Sequence, residues 1–151
     1  MKNTFVILLL LLTSSISYSQ DDRNKVVESR CKELVRVIGV ADREVWKKFI
    51  IENYTQELIN KPVRTTIQGG MAGGNSNSSE SMNSVEGKAN MYQRMHDDVG
   101  QGKIKNIKID GEKVDVEVET TTGTSLNFAL KFQLNSPYLI DGFSVQMMMG
   151  R

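Results

Sequence analysis

Between Lys103 and Met149 apolar and polar residues alternate in four runs, and the turns between the runs keep a single apolar face. Side chains in a strand change face at every residue, so this pattern reads as an antiparallel meander of four strands. The run Lys103 to Asp110 meets Asp110-Gly111, a dipeptide suited to a two-residue type I′ turn, which would place Ile109 opposite Glu112 and Ile107 opposite Val114. Its odd apolar face then continues into the even positions Val114, Val116 and Val118. Leu126, Phe128, Leu130, Phe132 and Leu134 are also even, so the second hairpin needs a loop of odd length. Thr121-Thr122-Gly123 supplies one, with Gly123 left-handed and Val118 opposite Leu126.

After Asn135-Ser136-Pro137-Tyr138, a last strand puts Phe143, Val145, Met147 and Met149 on one side, with Phe128 beside Val145. Asp141-Gly142 interrupts that parity and reads as a bulge or bend rather than a buried carboxylate. Ile104 breaks parity with no explanation in the pattern. The opposite face carries Asp115, Glu117, Glu119, Asn127, Lys131 and Gln133, an ordinary solvated surface rather than a metal site.

The amino-terminal half is helical in period. Val26, Val27, Cys31, Leu34, Val35 and Ile38 recur at helical spacing from Asp22 until Gly39 ends the run. Asp42 caps a second helix with Val45, Trp46, Phe49 and Ile50 inward, extending to about Asn53. Another turn spans Thr55 to Asn60, and the β-branched stretch Val63 to Ile67 suits a short strand. Residues 68–83 are Gly, Ser and Asn with two methionines, a composition expected to form a flexible loop, or a lid. Ser84 caps a third long helix, Val85 to Val99, with Val85, Ala89, Tyr92, Met95 and Val99 inward and Gly100 as its stop. The class is therefore α+β, with amino-terminal helices packed on a curved antiparallel sheet.

Lys2, the apolar run Phe5 to Leu12 and the small residues Ser17 and Ser19 make residues 1–19 a signal peptide, with Gln20 the first mature residue. The apolar run is too short for a membrane anchor, and no cysteine follows the cut to carry a lipid. Residues 20–151 then form one domain, about 130 residues long. Without Lys2 the chain's 19 basic and 18 acidic side chains come into balance, so neither nucleic acid nor an anionic membrane is an expected partner. Cys31 is the lone cysteine and lies on the apolar stripe, a buried thiol rather than a nucleophile.

Two segments carry a resemblance. Phe49-Ile50-Ile51-Glu52-Asn53-Tyr54 with Leu58 and Lys61-Pro62-Val63, and Tyr92-Gln93-Arg94-Met95-His96-Asp97-Asp98-Val99-Gly100, resemble the NTF2-like (cystatin-like α+β cone) superfamily. More narrowly they resemble the small modules beside serine-hydrolase and β-lactamase-related domains in secreted bacterial proteins. Pro137-Tyr138-Leu139-Ile140-Asp141-Gly142-Phe143 is similar to the segment that introduces those modules' last strand. The leader resembles those of Gram-negative bacteria, which implies the periplasm or the cell exterior. The resemblance implies a cone with a cavity between sheet and helices, and no agreed chemistry; fold alone does not select a function.

The chemistry-bearing residues are few. His96 is the sole histidine, which leaves little room for a histidine-based metal site. With Tyr92 and Asp97 or Asp98 it makes a local acid/base grouping, though a histidine at a helix end also serves the helix dipole. Ser29-Arg30-Cys31-Lys32, Ser81-Met82-Asn83 and Thr122-Gly123 mimic β-lactamase signatures in the wrong contexts, and nucleophile-elbow, Walker and Rossmann patterns are missing. No metal or cofactor is expected. Trp46, Phe49, Tyr54, Tyr92, Met95, His96, Phe128 and Val145 are the residues expected to line a ligand pocket, with core packing as the plainer role. The expected function is a secreted, non-enzymatic module for a small apolar ligand or a protein partner, with a homodimer through the outer sheet face as one form. A cavity isomerase or hydrolase using Tyr92, His96 and Asp97 or Asp98 is the alternative, and an accessory subunit of an envelope complex is the third.

Overall fold

The computed structural model describes residues 2–62 and 84–147, with side chains described from residue 20 and up to residue 146. Helices α1 (Lys2–Ile38), α2 (Arg43–Asn53), α3 (Gln56–Asn60) and α4 (Val85–Val99) precede strands β1 (Lys103–Asp110), β2 (Lys113–Glu119), β3 (Ser125–Phe132) and β4 (Ile140–Met147). The strands form one antiparallel sheet in the order β1-β2-β3-β4, an α+β arrangement. The expected strand at 63–67, the loop at 68–83 and the tail beyond Met147 lie outside the described residues. Helix α1 is longer than the expected Asp22–Ile38 and runs through Gln20 without a break.

Each later helix begins where its capping residue stands. Asp42 Oδ1 accepts from the amides of Glu44 (2.9 Å) and Val45 (3.4 Å), Thr55 Oγ1 from that of Leu58 (3.1 Å) and Ser84 Oγ from that of Gly87 (3.2 Å). Such caps satisfy amide donors that a helix start leaves unpaired. Gly100 ends α4 at φ +59° while its amide donates to His96 O at 2.8 Å, a conformation glycine reaches without a steric penalty.

The first hairpin corrects the expected turn. Asp110 pairs with Lys113, so the loop is Gly111-Glu112, and Ile109 faces Val114 rather than Glu112. A two-residue slip preserves the face of every side chain. It sets Ile109 and Ile107 beside Val114 and Val116, where branched apolar side chains meet each other instead of a carboxylate. Glu112, placed in the loop, reaches Lys131 Nζ at 3.0 Å. The remaining hairpins keep the expected register, with Val118 opposite Leu126 and Phe128 opposite Val145. Gly123 takes φ +83° in the three-residue loop.

Two bulges reconcile the broken parities. Lys105 is the extra residue between paired Ile104 and Asn106, so Ile104 turns to the inner side opposite Val118. Asp141 is the extra residue between Ile140 and Gly142, which returns Ile140 to the core opposite Phe132. The inner face then consists of Val114, Val116, Val118, Leu126, Phe128, Leu130, Phe132 and Ile140, all buried. Against it pack Val27, Cys31, Leu34 and Ile38 of α1, Trp46, Phe49 and Ile50 of α2, and Ala89, Tyr92, Met95 and Val99 of α4. Burying each large apolar side chain is worth roughly 1.5–3 kcal/mol, so this cluster holds the helices on the sheet far more strongly than the surface ion pairs between Glu86 and Arg43 or Lys47.

Candidate functional site

Two phenols bring polar chemistry into the core. Tyr54 follows α2 and Tyr92 lies mid-way along α4, where the helical period turns it inward with Ala89, Met95 and Val99. Their hydroxyl oxygens are 2.9 Å apart. Both rings are buried and pack with Phe49, at centroid distances of 6.3 Å to each. Burial, the largest cause, raises both phenols above their ordinary range; the bond from Tyr92 opposes this at Tyr54, while Tyr54 reinforces it at Tyr92. Two hydroxyls carry two hydrogens, and the bond between them uses one. The second points out of the pair as a donor toward whatever polar atom can reach it.

The acid/base grouping is not assembled around that pair. His96 is half-buried at the last turn of α4, with Nδ1 2.8 Å from Ile38 O at the end of α1. A carbonyl only accepts, so Nδ1 carries the hydrogen and Nε2 is left as the second ring nitrogen. The imidazole lies 6.1 Å from the Trp46 ring, whose Nε1 donates to Val37 O at 2.9 Å. Asp97 is exposed and accepts from Gln93 Nε2 at 3.2 Å, and Asp98 is exposed as well. Tyr92 is thus committed to Tyr54, His96 to the end of α1 and Asp97 to its own helix.

Of the residues expected around a pocket, Trp46, Phe49, Tyr54, Tyr92, Met95 and Phe128 all lie in the buried core. Val145 stands apart, 37% exposed although its strand partner Phe128 is fully buried. Phe143 is half-buried and meets Phe128 edge to face, with centroids 5.7 Å apart. The apolar wall therefore thins toward the open edge at β4. On the solvent side, an open depression of about 280 Å³ spans β2 to β4, lined by Lys113, Asp115, Ala129, Lys131, Gly142 and Ser144. Three acidic residues around that face are engaged by neighbours: Asp115 with Asn127 (2.9 Å), Glu119 with Lys105 (2.7 Å) and Asp141 with Lys131 (3.5 Å). Among the described residues no three or more His, Cys, Asp or Glu side chains gather as a metal site would require, and no helix is long and apolar enough to cross a membrane.

Sequence reasoning passed over two buried cations, Lys88 and Arg23, and the half-buried Arg30. Lys88 is buried on α4 and gives its ammonium to Lys61 O, while desolvation lowers its pKa. Arg23 and Arg30 sit on α1, where Arg23, Val27, Arg30 and Leu34 follow a four-three-four spacing. That spacing was the available signal: two arginines continue the stripe that otherwise faces the core. No protein-family model, curated protein or solved structure matches the chain.

Proposed function

We propose that this chain is a secreted, non-enzymatic binding module of the NTF2-like cone type, whose sheet face takes a small apolar ligand or an apolar surface of a protein partner. The observation that carries this reading is Val145, in register with the buried Phe128 yet 37% exposed. An apolar wall that continues past its own cover leaves area whose burial by another molecule gains about 25 cal/mol per Å². Phe143, half-buried beside it, supplies an aromatic edge for the same contact. The dispersal of Tyr92, His96 and Asp97 onto separate partners supports binding over acid/base catalysis.

Native mass spectrometry of the protein purified from its own cell envelope tests the reading. The expected result is a mass excess from an apolar ligand, or a complex with a second chain, that Val145→Glu abolishes without unfolding the protein. A bare monomer from the native source overturns it.

A further inference from the structure

Arg23 and Arg30 are separated by two turns of α1, yet both reach one feature, the turn Asn135 to Tyr138 that joins β3 to β4. The Arg23 guanidinium carbon lies 6.0 Å from the centre of the Tyr138 ring. One Arg30 amine donates to Pro137 O at 2.9 Å and another to Asn53 Oδ1. The turn is closed by the Tyr138 amide donating to Asn135 O at 2.9 Å, which sets the positions of these carbonyl and ring partners.

The donors of this cluster are largely unspent. Arg23 is 3% exposed, and none of its three nitrogens has a hydrogen-bond partner among the described residues. Arg30 Nε is likewise buried and unpartnered. Asp22 lies beside Lys25, Glu28 pairs with Lys32, and Glu33 pairs with Arg36, while Asp21 is exposed to solvent and no ion pair joins any of them to Arg23 among the described residues. A buried guanidinium with five unused N–H donors and no counter-charge costs several kcal/mol unless an anion or polar ligand completes it. Arg30 shares this deficit only at Nε, and burial lowers its pKa with no acid opposing the shift.

We infer that Arg23 and Arg30, with the Tyr138 ring and the Pro137 carbonyl beside them, form a binding site for a carboxylate-bearing organic acid. The planar fork of Arg23 matches a carboxylate with two parallel N–H···O bonds, and Arg30 Nε–H offers a further donor. A monoanion fits better than inorganic phosphate because the Pro137 oxygen and the π-face of Tyr138 are electron-rich and oppose a second negative charge. The apolar portion of the acid would lie against the Tyr138 ring. This site stands on observations separate from Val145 and survives or fails independently of the sheet-face reading.

The test is NMR titration of the full chain with sodium benzoate, following the Arg23 and Arg30 Nε–H resonances, with inorganic phosphate and sodium chloride as parallel arms. Benzoate is expected to shift these resonances saturably. Arg23→Gln should weaken binding about tenfold or more, the loss associated with hydrogen bonds to a charged group. Arg23→Lys, which keeps the charge and loses the fork, should weaken it too. Arg36→Gln, on the exposed side of α1, should leave it unchanged. No saturable shift with benzoate, wild-type affinity in Arg23→Gln or in Arg23→Lys, or a preference for phosphate over benzoate each overturns the assignment.

Discussion

Tyr54 and Tyr92 meet hydroxyl to hydroxyl at 2.9 Å inside the core, each the hydrogen-bond partner of the other. Residues 38 positions apart are thereby joined, one following α2 and the other on α4.

That relationship makes the two hydroxyls interdependent. Removing one leaves the other buried without a partner, a cost of about 1–3 kcal/mol, whereas removing both leaves nothing polar to satisfy. Tyr54→Phe and Tyr92→Phe should each destabilise the protein, and the double variant should lie within roughly 1 kcal/mol of wild type. Urea denaturation of the four proteins measures the cycle. Additive losses would show that the hydroxyls are not coupled.

Thr55 ties the helical layer to the bulge of β4. Its hydroxyl accepts from the Leu58 amide at 3.1 Å and donates to Asp141 Oδ1 at 3.1 Å, while its own amide donates to Ile140 O at 2.9 Å. Thr55→Val keeps the shape and the amide bond but loses the cap and the bond to Asp141. A loss of about 1–2 kcal/mol is expected, together with faster hydrogen exchange at the Leu58 amide. Unchanged exchange at Leu58 would contradict the capping role.

Cys31 makes stability fall at high pH. Burial, with Glu28 adding a smaller effect, raises its thiol from 9.0 to about 12. Between those values the unfolded chain has released a proton that the folded chain retains. The contribution is therefore fully present below pH 9 and lost as pH rises toward 12, with a slope of at most about 1.4 kcal/mol per pH unit. The buried phenols of Tyr54 and Tyr92 act in the same direction at still higher pH. Cys31→Val should flatten the decline in urea midpoint between pH 9 and 10 relative to wild type; parallel curves for the two proteins would remove the thiol from this account.

The candidate site was less legible than the fold, and for a physical reason. Arg23 and Arg30 carry the spacing of a buried stripe, but an arginine at such a position ordinarily carries its charge out to solvent along its methylene chain. The placement of the Asn135–Tyr138 turn over α1, with Asn53 at the end of α2, puts the guanidinium groups against protein. His96 and Asp97 are neighbours in sequence, and a helix turns consecutive side chains about 100° apart, so adjacency brought them to different partners.

By itself the sequence determined helices α2 to α4 with their caps, the four strands and most of their faces, because these depend on local conformational preference and on a period of two that a slip of two residues leaves intact. The register of the first hairpin was decided by the tertiary structure, since Ile109 gains more against Val114 than against Glu112 and the turn moves to Gly111-Glu112 to allow it. Tertiary structure also decided the inward turn of Ile104, the meeting of Tyr54 with Tyr92 and the convergence of two arginines on one turn. Each of these joins groups from separate elements, and their energies exist only once the helices have packed on the sheet.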